Sequence, residues 1–140
     1  MIYTDENRGK IQNKQFRLKT VDYSGVRVKN ITPTDIDGFS EFSNRGFIFC
    51  DLKYVSEEIG HAKIPDGQRI AYERLITSLE ASGKKAYFLI CEHHEGDYDE
   101  IDAATSLVTS MYYGGRWHDA MEEITLAETY TKLHKIIMAQ

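Results

Sequence analysis

The stretch Lys84 to His94, KKAYFLICEHH, holds six consecutive apolar side chains, Ala86 to Cys91. It is too short to cross a bilayer. Apolar side chains at both odd and even positions mark a strand buried on both faces. Such a strand needs a neighbour on each side and a layer above and below. That requirement predicts an α/β domain built on a central sheet. At 140 residues the chain has the size of one domain, expected to span residues 1–140.

The flanking segments supply the layers. Upstream, Pro65-Asp66-Gly67 reads as a helix start with Asp66 as N-cap. Tyr72, Leu75, Ile76 and Leu79 then follow helical spacing to a stop at Gly83. Before it, TDIDGFSEF and FIFCDLKY read as two strands joined through the polar turn Ser43-Asn44-Arg45-Gly46. The first thirty residues are expected to form a short helix, then an irregular stretch or strand at Tyr23 to Lys29. Ile101 to Tyr113 reads as a helix ending at Gly114-Gly115, and a last helix is expected from near Glu122 to Met138. The fold class is therefore α/β, a mixed central sheet flanked by helices, with extra C-terminal helices.

Hydrophobic residues at 41% and charged residues at 28% exclude a disordered or collagen-like chain. No apolar run reaches membrane-spanning length, and MIYTDENRGK lacks the apolar centre of a secretory signal, so a soluble, cytoplasmic protein is expected. Cys50 and Cys91 sit inside apolar runs, as reduced, buried thiols do. The formal charge of −5 is unevenly spread: residues 1–30 hold seven Lys or Arg against three acids, and residues 92–128 hold ten acids against one arginine. A basic patch on an acidic protein is compatible with that distribution.

The chemistry concentrates in the hairpin. Strand alternation puts Asp35, Asp37, Phe39 and Glu41 on one face of the first strand, and Phe47, Phe49, Asp51 and Lys53 on one face of the second. A type I turn closing into a glycine bulge sets residue 43 opposite 47, and hence Phe39 opposite Asp51 and Asp37 opposite Lys53. Asp37 and Asp51 then lie within reach of one cation. Two aspartates plus a strand carbonyl suit Mg²⁺, which prefers oxygen and keeps several waters. Such an ion activates water and steadies a departing oxygen, with Lys53 beside the developing charge. Phosphodiester hydrolysis is the matching reaction.

The run Thr34-Asp35-Ile36-Asp37-Gly38-Phe39 with Asp51-Leu52-Lys53, thirteen residues separating Asp37 from Asp51, resembles the motif of the PD-(D/E)XK nuclease superfamily in its small phage-type members. Gln68-Arg69-Ile70-Ala71-Tyr72 resembles the QxxxY element of its RecB-like nucleases. The resemblance covers roughly residues 20–95. It implies a restriction-endonuclease-like αβββαβ sandwich and a Mg²⁺- or Mn²⁺-dependent nuclease acting on DNA, encoded by a phage or mobile element. It also implies Asp37 and Asp51 as metal ligands, Lys53 as the catalytic lysine and Gln68 as a site residue. Asp35 competes with Asp37 as the primary ligand, because isoleucine stands where many members have proline. The first-helix glutamate of many members has only Glu6 to match it.

Other signals have plainer readings. A [DE]-x-K triplet alone is weak, since chance supplies about one or two in such a chain. Tyr72 continues an apolar stripe and reads as core, with Gln68 above it as either a site residue or a cap. His93 and His94 point to opposite faces and cannot chelate one ion together. The acidic run from Glu95 lacks calcium-loop spacing. Gly114-Gly115-Arg116-Trp117 reads as a helix-terminating turn rather than a nucleotide contact. The last helix suits either packing on the sheet or a homodimer contact. Net acidity keeps two rivals in play: a catalytically silent fold that binds a protein partner, and an acidic DNA mimic. RNA stays open as a substrate.

Overall fold

A computed structural model describes residues 21–55, 63–94 and 101–139. The expected first helix, Glu6, the basic residues from Arg8 to Lys19, the loop around Gly60 and the acidic run Glu95 to Glu100 lie outside the described residues. The chain divides into two units, Met1–Pro33 and Thr34–Gln140. Within the first, Tyr23 to Lys29 is irregular: a 3-10 turn at Ser24–Val26, then a bridge between Val28 and Ile31.

The second unit is α/β. Its strands are β1 (Gly38–Phe42), β2 (Gly46–Tyr54), β3 (Lys85–His93), β4 (Leu107–Tyr113) and β5 (Arg116–Asp119). Its helices are α1 (Asp66–Ala81) and α2 (Leu126–Met138). The five strands form one sheet in the order β1-β2-β3-β4-β5. The β2–β3 pair is parallel and the other three pairs are antiparallel. The parallel pair follows from α1, since a crossover helix must return the chain before the next strand can run the same way.

β3 lies between β2 and β4 with every residue from Ala86 to His93 buried, as its continuous apolar run predicts. Alternation splits the core in two. Phe49, Phe88 and Ile90 meet Tyr72 and Ile76 of α1 on one face. Ile48, Cys50, Leu89 and Cys91 meet Leu126, Leu133 and Ile137 of α2 on the other. Burial pushes the Cys50 thiol up to about 11 and the Cys91 thiol up to about 12, so both remain protonated at neutral pH.

Several expectations need correction. Among the described residues two strands, not three, precede the crossover helix. Asp66 is the first residue of α1, after Pro65 at the cap position, and makes no side-chain cap. The segment Ile101 to Tyr113 is not a helix: a 3-10 turn at Ala103–Thr105 leads into β4, and Gly114-Gly115 turns the chain into β5. Both glycines have positive φ, the backbone that a two-residue hairpin turn demands. Trp117 then packs on Tyr112 and donates its indole N–H to Glu73 Oε2 at 2.8 Å. The last helix starts at Leu126, capped by Thr125 and Glu128 in a reciprocal capping box.

Candidate metal and phosphodiester site

The site starts with the β1–β2 turn. Ser43 and Asn44 both have positive φ, and the Arg45 N–H closes the turn onto the Phe42 carbonyl at 2.8 Å. The Asn44 N–H is held by the Glu41 carboxylate. Gly46 is a strand residue, not part of the turn. Its lack of a side chain answers another need, because a Cβ there would stand 2.7 Å from Ile137.

The register is therefore displaced by two residues from the expected one. Phe42 faces Gly46, Phe39 faces Phe49 and Gly38 faces Cys50. A shift of two preserves which face each side chain takes. The pairings of Phe39 with Asp51 and of Asp37 with Lys53 are thus corrected, while odd positions still share one face. One further step in that register sets Asp37 opposite Asp51.

Asp37 lies just before β1. Its Oδ2 accepts the Leu52 N–H at 2.7 Å, so a side chain takes the bond that a further strand residue would otherwise make. Its carboxyl also lies in hydrogen-bonding contact with that of Asp51. Burial, the contact with Asp51 and the negative charges of Asp51 and Asp35 outweigh the Leu52 bond and push Asp37 up to about 6. Asp37 as a whole residue is exposed.

Asp51 is 5% exposed. Its Oδ2 accepts the Tyr72 hydroxyl at 3.0 Å and pairs with Lys53 Nζ at 2.9 Å. Lys53 Nζ also donates to Gln68 Oε1 at 3.4 Å, which brings the third residue of α1 to the same group. The Tyr72 ring stacks on Phe88 at 3.7 Å, and its hydroxyl reaches both Asp51 and the Asp35 carbonyl. Burial, then the Asp51 charge, raises its pKa well above that of a free tyrosine, so it stays a donor.

Asp37, Asp51, Lys53 and Gln68 are thus brought together. The Asp35 charge also acts on Asp37, and among the described residues no three His, Cys, Asp or Glu side chains cluster tightly enough to hold an ion. Asp35 contributes its carbonyl, to Tyr72. Neither histidine joins the site. His93 is buried against Tyr54, and a His94 ring nitrogen meets the Val55 carbonyl.

Two site residues were undervalued in the sequence. Tyr72 is core by its ring but belongs to the site by its hydroxyl; its i,i+4 spacing from Gln68 carried that information. Glu92, 9% exposed, pairs in register with Lys53 on the same face. An acid closing a doubly buried strand was its signal, since buried glutamates are rare without a partner.

Two neighbouring carboxyls, with Asp37 raised by burial and by Asp51, form an oxygen-donor pair whose mutual repulsion a divalent cation would relieve. The donors are hard oxygens, and the ion's remaining positions are left to water or substrate. Comparisons with protein-family models, with curated proteins and with solved structures find no match to this chain.

Proposed function

We propose that this chain is a Mg²⁺- or Mn²⁺-dependent deoxyribonuclease with a restriction-endonuclease-like domain. Asp37 and Asp51 hold the ion, and Lys53 and Gln68 complete the site. The observation that carries the reading is the convergence of the Asp37 and Asp51 carboxyls beside Lys53 Nζ, 2.9 Å from Asp51. The motif order, acid, acid-x-lysine, then glutamine on the crossover helix, supports it.

A bound ion supplies charge to a phosphate oxygen and acidifies a coordinated water. The chain's own residues do the rest. Tyr72, by donating to Asp51, fixes the rotamer of that carboxylate. Leu52 N–H does the same for Asp37. Lys53, a compact ammonium paired with Asp51, faces the charge that develops on phosphate or orients the attacking water. Gln68 steers the lysine. DNA is the polymer of the proposal, with RNA the second to test.

The test is incubation with plasmid, linear duplex, single-stranded DNA and RNA in Mn²⁺, beside Asp51→Asn and Lys53→Ala. Cleavage by the native protein and its loss, by at least about a hundredfold, in both variants is the expected result. Cleavage retained by Asp51→Asn, or none by the native chain on any polymer, defeats the proposal. The acidic balance of residues 92–128 favours one alternative in that event, a catalytically silent protein that binds a protein partner.

A further inference from the structure

Among the described residues, helix α1 packs over β3 and β4. Phe39, on β1, has 59% of its surface in solvent. Its ring does not hang loose: it lies 5.0 Å from Phe49 and 6.2 Å from Phe47, and Phe49 in turn stacks on buried Phe88. The exposed ring is the outer end of an aromatic row whose inner end, Tyr72, bonds Asp51. Because Phe39 faces Phe49, it is a diagonal neighbour of Asp51, about 7 to 8 Å away along the face.

Packing alone does not require a phenylalanine at that place, since most of its surface is not packed. A rigid aromatic face beside a phosphate-cleaving site is what a nucleobase stacks on. Charge narrows the choice of nucleic acid. The chain carries −5 overall, and exposed Glu41 follows Phe39 on the same strand face, opposite Phe47. Phosphate neutralisation contributes to binding of either form, more per contact for a duplex, so these acids weigh more against a duplex than against a single strand whose exposed bases can add stacking. A paired base, moreover, has its faces covered by its neighbours.

Resting on the nuclease reading, we propose that Phe39 is a stacking platform for an unpaired base next to the scissile phosphate, so that single-stranded DNA is the preferred substrate.

The test uses a fluorescent fifteen-nucleotide oligo(dT) and a fifteen-base-pair duplex, with binding read by anisotropy in the Asp51→Asn background and cleavage read in the otherwise native chain. Phe39→Ala and Phe39→Leu should each weaken binding of the single strand by about tenfold and change the duplex by less than about twofold, while Phe39→Trp restores the single strand. Leucine keeps the bulk and the fold, so its loss reports on the aromatic face. Native affinity in Phe39→Leu, an equal loss on both DNAs, or no binding of the single strand by the parent overturns the proposal. If Asp51-dependent cleavage survives Phe39→Leu with an unchanged preference for single strand over duplex, stacking fails and the nuclease stands. If binding depends on Phe39 but no cleavage depends on Asp51, the nuclease reading fails and stacking stands.

Discussion

Burial and the neighbouring Asp51 carboxyl oppose ionisation of Asp37, so a proton on Asp37 competes with any cation. Apparent Mn²⁺ affinity should therefore fall as pH drops below about 6, and a pH series of titrations would show it. Stability carries the opposite slope. The folded pKa lies above the ordinary 3.8, so the native state binds more protons than the unfolded chain between these values. This group's contribution is most favourable at low pH, declines as pH rises from about 4 to about 6, and is flat above. Unfolding of the metal-free protein in urea across pH 4 to 7.5 should show that decline, and Asp37→Asn should remove it. At Tyr72, ring and hydroxyl separate cleanly. Tyr72→Phe keeps the stack on Phe88 and should cost about 1 kcal/mol, whereas Tyr72→Ala, at a position 1% exposed, should cost about 3 to 5 kcal/mol. Denaturant midpoints distinguish the two.

At the scale of elements, the β1–β2 hairpin shows what sequence carries and what it omits. Alternation assigns Asp37, Phe39, Asp51 and Lys53 to one face, and that assignment survives a two-residue displacement because parity does. The register itself was not legible. Gly46 looks like a turn residue, and only α2 reveals that it is a strand residue crossed closely by Ile137. Gly46→Ala should accordingly destabilise by about 1 to 3 kcal/mol through overpacking, with no change in turn conformation, as thermal unfolding and amide exchange would register. Helix α1 was legible in its apolar stripe at Tyr72, Leu75, Ile76 and Leu79, but not in its cap. The β4–β5 hairpin was misread because Leu107, Val108 and Met111 fit a helical spacing as well as a strand. The deciding signal was Gly114-Gly115 between Tyr113 and Arg116, a two-residue turn. At α2, Thr125-x-x-Glu128 marked the true start, and Thr125→Ala should cost about 1 kcal/mol.

Across the molecule, one six-residue apolar run forces the layered α/β arrangement, and the rest of the second unit follows as the cover for its two faces. Among the described residues no helix is long and apolar enough to cross a membrane. The convergence of Asp37, Asp51, Lys53 and Gln68 was legible because it is local, drawn from two short segments of one hairpin and the first turn of the next helix. Its long-range partner was harder to read. Glu92 stands opposite Lys53 through the parallel pairing of β2 with β3, which no local pattern reports. The account turns on a single claim, that the Asp37 and Asp51 carboxyls together form an ion site. Calorimetric titration of Mn²⁺ into the native chain, Asp37→Asn and Asp51→Asn tests it most directly. One site in the native protein, weakened by at least about tenfold in each variant, is the predicted result. Native binding left intact by both substitutions, or no Mn²⁺ binding by the native chain, would contradict it.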